Sequence, residues 1–441
     1  MGCDRLESDI KEELRMDTRI EKLINLTRRQ WGLEDYYLGR HHLFRQLTLD
    51  GETVYFLNME WFPNKYADWT DEEENPEGTA SIDINIHTEE FESVIFVQGV
   101  TYAKNGVVFP HKDVKEVKKW LAEFTGLNIE KDFICKQRDK REYYFEEQWN
   151  GIPLSPSSSI TVEFNEDGEL TFYSKHISVL TNKKELEEKY TLSLADIEDI
   201  ARDQVVLAEF PNEDGKLIVY GVEETYIRND RKGSLPFMEE KFGFRKNINK
   251  EIKWQEGKED DFDRKPLDWA NEVSVEDAYL KIPHPDSLPI TDEDTEKCIQ
   301  EVTNFLRMKY PNDSGKWMLK YLYRENFNLL ARIEESVPKS IFAGRILTFH
   351  DQEGKIVNYM DKKELWDEIL DAKEKEVIKK EKEIKITKDE AYKKLKPYFT
   401  LTPYYVFDPA DKKWVLCGKL DCNYCVDVES GEISNLEDSF S

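Results

Sequence analysis

Residues 387–436, TKDEAYKKLK PYFTLTPYYV FDPADKKWVL CGKLDCNYCV DVESGEISNL, hold the pattern around which the chain is organised. Thr387 to Glu390 has the form of a capping box, in which the Thr hydroxyl and the Glu carboxylate satisfy each other's backbone N–H groups. Ala391, Leu395 and Tyr398 then recur on one helical face. Pro397 ends the helix. Extended segments follow at Tyr404 to Asp408, Trp414 to Leu420 and Asn423 to Val428, and the last turns through Glu429-Ser430-Gly431 into Glu432 to Leu436. The stretch predicts one helix and a short antiparallel meander, hence an α+β fold.

Weaker versions of this pattern lie upstream. A first helix closes at Trp31-Gly32, and the Asp50-Gly51 turn between Leu47, Leu49 and Val54, Phe56, Leu57 predicts a hairpin. Ile82, Ile84 and Ile86 alternate with Asp83, Asn85 and His87, as in a strand with one buried face. A second helix, His111 to Thr125, carries Val114, Val117, Trp120, Leu121 and Phe124. Downstream of it, Ile160, Val162 and Phe164 turn through Asn165-Glu166-Asp167-Gly168 to Leu170 and Phe172. A third helix starts at Ser193 with Asp196 as its box partner, then an extended run covers Lys216 to Ile227, with no closing hairpin legible. Asn229 to Ile290, acidic at Lys258 to Asp263 and rich in Pro at 283, 285 and 289, reads as loop and linker. A fourth helix starts at Thr291 with Asp294, and strands follow at Lys316 to Arg324, Asn328 to Ser336, Arg345 to His350 and Lys355 to Met360. Asp361 to Lys385 reads as a charged helix. The expected division is residues 1–105, 106–190, 191–290 (a degenerate unit plus linker), 291–361 and 362–441.

Composition narrows the function classes. The chain has 441 residues, enough for several cores, with 39% hydrophobic and 35% charged residues. Lys+Arg of 63 against Asp+Glu of 91 gives a net charge of -28, which repels phosphate backbones and anionic lipid. Nucleic acid and membrane are therefore not the expected partners, and a basic protein is. The start, Met1-Gly2-Cys3-Asp4-Arg5-Leu6, shows no apolar signal region, which sets the expectation of a cytoplasmic protein.

The helix Thr387-Lys388-Asp389-Glu390-Ala391 and the closing run Tyr424-Cys425-Val426-Asp427-Val428-Glu429-Ser430-Gly431-Glu432-Ile433 resemble the start and end of a PepSY-type repeat, in particular that of the YcdB/YcdC repeated-domain proteins of bacilli. Phe164 to Leu170 and Phe349 to Ile356 echo the same ending. The resemblance implies repeated units, each a helix packed on a small antiparallel sheet. It implies no catalytic residues, so none carry over; separately, no cofactor is expected.

Candidate chemistry is sparse. Cys417, Cys422 and Cys425 have a metal-knuckle spacing, but residues three apart on a strand point to opposite faces, and no histidine lies nearby. No metal is expected there. His41, His42, His87, His111, His176, His284 and His350 are scattered and form no zinc or triad motif. The turns Asn165 to Gly168 and Asp351 to Gly354 lack the twelve-residue spacing of a calcium loop and read as hairpin turns. The acidic runs Asp71 to Glu74 and Glu259 to Asp263 are the expected face for a basic partner. The leading reading is a noncatalytic binding or regulatory protein, not an enzyme, with no catalytic, cofactor or metal residues. An acidic protease-inhibitor or immunity-type protein that binds a basic enzyme is the first alternative, and an unrecognised hydrolase the second.

Overall fold

The structure, a computed structural model, describes residues 16–48, 51–69, 74–177, 189–212, 215–236, 245–258, 260–267, 273–336, 345–362, 364, 384–408 and 411–436. Asp50, Asp71 to Glu73, Glu259 and most of the 361–385 segment lie outside the described residues. The chain divides into two compact units, residues 1–180 with 270–284, and residues 181–269 with 285–441. Both are α+β, and the strand pairings are antiparallel. No described helix is long and apolar enough to cross a membrane.

In the first unit, helix α1 (Thr18–Gln30) starts at Asp17, whose carboxylate accepts from the Arg19 N–H at 2.8 Å. The strands are β1 (Tyr36–Leu47), β2 (Thr53–Pro63), β3 (Ala80–Asn85) and β4 (Phe91–Phe96); then, after helix α2 (Val114–Thr125), β5 (Phe133–Asp139), β6 (Glu142–Trp149), β7 (Ile152–Ser155), β8 (Ser159–Phe164) and β9 (Leu170–His176). They run in the order β1-β2-β3-β4-β9-β8-β6, with β5 and β7 also paired to β6. Strands from residues 36–96 and 133–176 thus share one sheet, joined where Ser93, Val94 and Ile95 face Ser174, Tyr173 and Phe172.

The alternation read from the sequence sets the buried face. Ile82, Ile84, Ile160, Val162 and Phe164 lie under α1 and α2 in one core with Leu23, Val117 and Leu121. Burying each such side chain stabilises the fold by about 1.5–3 kcal/mol. Part of the stretch read as linker also belongs here. A short helix, Val275–Tyr279, puts Ala278 in this core, the Val273 N–H donates to the Leu43 carbonyl at 3.1 Å, and the Tyr55 hydroxyl donates to the Ile282 carbonyl.

The second unit holds two helix-on-sheet cores. Its strands are β10 (Val205–Asn212), β11 (Gly215–Val222), β12 (Thr225–Arg228), β13 (Ser234–Pro236) and β14 (Arg245–Ile252); then, after helix α3 (Asp292–Lys309), β15 (Trp317–Glu325), β16 (Asn328–Glu335), β17 (Arg345–His350) and β18 (Ile356–Asp361); and, after helix α4 (Lys388–Leu395), β19 (Thr400–Asp408), β20 (Lys413–Asp421), β21 (Tyr424–Asp427) and β22 (Ile433–Asn435). Strands β14 to β18 form a meander in chain order, with Val302, Phe305 and Leu306 of α3 packed on Leu329, Ala331 and Ile333. The stretch read as linker therefore supplies β14, the first strand of this sheet.

The C-terminal stretch differs from a single meander. The chain bends at Cys422-Asn423, so β20 stays with β19 and β12, while β21 pairs with β11 and β22 in a four-stranded sheet, β10-β11-β21-β22. The third helix is short, a 3-10 turn Leu194–Ile197 leading into Glu198–Asp203, capped as expected by Ser193 and Asp196. Its missing closing hairpin is supplied from residues 424–435. Ile197, Ala201 and Val205 share a core with Ala391, Leu395, Val426 and Val428, because neither short helix alone covers the sheet's apolar face.

Candidate functional site

The outer face of the first unit's sheet carries a row of polar residues. Cross-strand register aligns Asn58, Asp83, Ser93, Ser174, Thr161 and Tyr144 in one row over six strands. Asp83 lies between Asn58 and Ser93, accepting from Asn58 Nδ2 and Ser93 Oγ, each at 2.7 Å.

The adjacent row, two residues along each strand, ends in three carboxylates. Glu163 of β8 faces Glu142 of β6, and Glu142 faces Asp139 of β5. Like charges directly opposite on a sheet repel. Burial raises the Glu163 carboxyl above its ordinary range, and the Glu142 charge adds to the rise. The three line a surface cleft of about 270 Å³ with Gln98, Asn165 and Arg141. Arg141 pairs with Glu166 at the hairpin turn, Nη1 to Oε1 3.4 Å.

A row spaced by the strand separation, roughly 4.8 Å, spreads the carboxylates along a line rather than around a point. Among the described residues no three of His, Cys, Asp and Glu converge to hold a metal ion. The geometry suits a cationic ligand extended across the strands, such as the Lys and Arg side chains of a basic protein segment.

The three expected cysteines sit inside the cores. Cys417, Cys422 and Cys425 are all buried. The Cys422 thiol lies 3.6 Å from the Tyr424 carbonyl, and the Cys425 sulfur lies 3.2 Å from Ser434 Oγ. The turns at Asn165 and Asp351 are side-chain-closed hairpins. Asn165 Oδ1 accepts from the Asp167 and Glu169 N–H groups at 3.0 Å, and Asp351 Oδ1 from those of Glu353 and Lys355 at 2.9 Å. Asp427 does the same with Glu429 and Ser430.

One thiol–imidazole pair escapes sequence reading, because its members lie 52 residues apart and join no motif. Cys298 Sγ of α3 is 3.5 Å from His350 Nε2 of β17. His350 Nδ1 lies 3.0 Å from the Gly354 carbonyl, an acceptor, so Nδ1 carries the proton and Nε2 accepts from the Thr348 hydroxyl at 2.9 Å. Burial pushes the Cys298 thiol up to about 12 and the His350 imidazole down to about 4. Both are neutral at pH 7, so no thiolate is present to act as a nucleophile.

No family model and no curated protein matches the chain. Among solved structures, the C-terminal domain of YpeB from Bacillus megaterium is similar at 16% identity and a TM-score of 0.24, over 46% of this chain and 85% of that one. At that score the likeness carries no argument about activity or partner.

Proposed function

We propose that this is a noncatalytic binding or regulatory protein built from PepSY-like repeats, and that it takes up a basic protein segment along Asp139, Glu142 and Glu163. The alignment of those three carboxylates on neighbouring strands carries the reading. They stand directly opposite one another on neighbouring strands, a concentration of negative charge that attracts an incoming Lys or Arg. The repeat reading is supported by helix-on-hairpin pairs with shared turn chemistry: α2 with β8–β9, α3 with β17–β18 and α4 with β21–β22. Each of these hairpins closes on an Asn or Asp side chain and a left-handed Gly, at 168, 354 and 431.

Fluorescence anisotropy with a labelled Lys- and Arg-rich peptide tests the reading. The combined Asp139→Asn, Glu142→Gln, Glu163→Gln variant is expected to bind at least about tenfold more weakly, the loss of roughly one charge-assisted contact. Binding of the variant at the wild-type affinity, with the fold intact by circular dichroism, overturns it.

A further inference from the structure

The acidic row continues past Glu163 on the same face of the sheet. Glu163 faces Phe172 of β9, Phe172 faces Ile95 of β4, Ile95 faces Ser81 of β3, and Ser81 faces Glu60 of β2. Across the strands the order is therefore three carboxylates, two apolar side chains and then polar residues. Ile95 is 38% exposed and Phe172 half-buried. At the far end Arg40 of β1 faces Glu60 and pairs with it at 3.4 Å, so the row closes on a matched charge pair. In the neighbouring row Thr161, Ser174 and Ser93 stand beside Glu163, Phe172 and Ile95, and only Tyr144, beside Glu142, is large.

The spacing of this row selects the conformation of what lies on it. Neighbouring strands are about 4.8 Å apart, so the five positions from Asp139 to Ile95 fall at roughly 0, 4.8, 9.6, 14.4 and 19.2 Å. An extended segment repeats its same-face side chains about every 6.7 Å, so its third such residue overshoots Glu163 by about 4 Å. An α-helix rises about 1.5 Å per residue, and its positions i, i+3, i+7, i+10 and i+14 share one face at roughly 0, 4.5, 10.5, 15 and 21 Å. The helical repeat stays within about 2 Å of the row throughout.

We propose that this row docks a basic amphipathic helix of a partner protein, laid across the strands. Its Lys or Arg residues at i, i+3 and i+7 lie over Asp139, Glu142 and Glu163, and apolar residues at i+10 and i+14 lie over Phe172 and Ile95. The inference rests on the proposed uptake of a basic segment, and adds that segment's conformation and its apolar half. Charge complementarity places one end of the occupant, and the exposed apolar pair places the other. The helix N-terminus lies at the carboxylate end, where the positive end of its dipole meets negative charge, so basic residues precede apolar ones in the partner's sequence.

The test uses the full chain and two labelled peptides of about sixteen residues, read by fluorescence anisotropy. One carries the motif on an alanine background, and the other is identical except for two central prolines that prevent a helix. The motif peptide is expected to bind at least about tenfold more tightly than the proline peptide. Ile95→Asn, at an exposed position and with its fold checked by circular dichroism, should weaken the motif peptide by at least about fivefold and leave the proline peptide unchanged. Equal affinity of the two peptides, or a motif peptide indifferent to Ile95→Asn, overturns the helix. If both peptides then still lose affinity in the combined Asp139→Asn, Glu142→Gln, Glu163→Gln variant, the uptake of a basic segment stands without it. Binding of neither peptide overturns both.

Discussion

The Cys298 sulfur lies 3.5 Å from His350 Nε2, and neither side chain reaches solvent. A thiol beside an imidazole is the starting arrangement of a cysteine nucleophile, but here burial holds both partners in their neutral forms. The pair ties α3 to the β17–β18 hairpin, and Thr348 and Gly354 complete its hydrogen bonds. Native protein treated with iodoacetamide should leave Cys298 unmodified in peptide mass spectra, with labelling only on unfolding. Rapid labelling of the folded protein contradicts this placement.

His350 also sets a pH dependence. Its pKa is lowered to about 4 in the fold, against 6.5 for the ordinary side chain, so between these values the unfolded chain binds the extra proton. Stability of the second unit should therefore be full above about pH 6.5 and fall by up to about 3 kcal/mol as pH drops through 4. Urea melts of wild type and His350→Gln at pH 5 and pH 7.5 check this, and the variant should lose most of the difference.

Glu92 acts in the opposite direction in the first unit. It sits at the β3–β4 bulge, where burial raises its carboxyl to about 7, opposed by the Lys175 charge and reinforced by Glu90 and Asp83. Its folded pKa lies above the ordinary 4.5, so the fold binds the extra proton between 4.5 and 7. Stability is full below about pH 4.5 and declines as pH rises to 7, by at most about 3 kcal/mol. Glu92→Gln should stabilise the first unit at pH 8 and flatten that decline. An unchanged melt at pH 8 contradicts the assignment.

The three C-terminal cysteines are expected to remain metal-free. Their sulfurs are spread over two cores, Cys417 beside Tyr226 and Val406, and Cys422 beside Ile227 and Val428. Elemental analysis after incubation with zinc and gel filtration should find well under one zinc per chain. One zinc per chain, lost in Cys422→Ala, contradicts this.

The helix start at Thr387 is formed as its sequence indicates. The Glu390 N–H donates to Thr387 Oγ1 at 3.3 Å, and the Thr387 N–H donates to Glu390 Oε2 at 2.9 Å. Thr387→Ala should cost about 1 kcal/mol in a denaturant melt, and Thr387→Ser close to nothing.

Local chemistry was legible where neighbours in sequence decide it. The boxes at Ser193, Thr291 and Thr387 form, and the alternating residues Ile160, Val162 and Phe164 are buried. Long-range register was not legible. Nothing near Val219 or Val426 announces that β11 and β21 pair across two hundred residues, nor that residues 273–279 pack on the first unit. The acidic row was missed for the same reason. Asp139 faces Glu142 only because the β5–β6 register shifts between Gln137 and Asp139, and Glu163 joins them from β8, 21 positions after Glu142 in the sequence.

Carbodiimide cross-linking of the wild-type protein to a lysine-rich peptide, read by mass spectrometry, tests the binding reading most directly, because 91 Asp and Glu residues compete for the same chemistry. Cross-links concentrated on Asp139, Glu142 and Glu163, and reduced as salt is raised from about 0.01 M to 0.15 M, are the predicted result. Cross-links scattered over the acidic surface, or concentrated elsewhere with those three unmodified, contradict it.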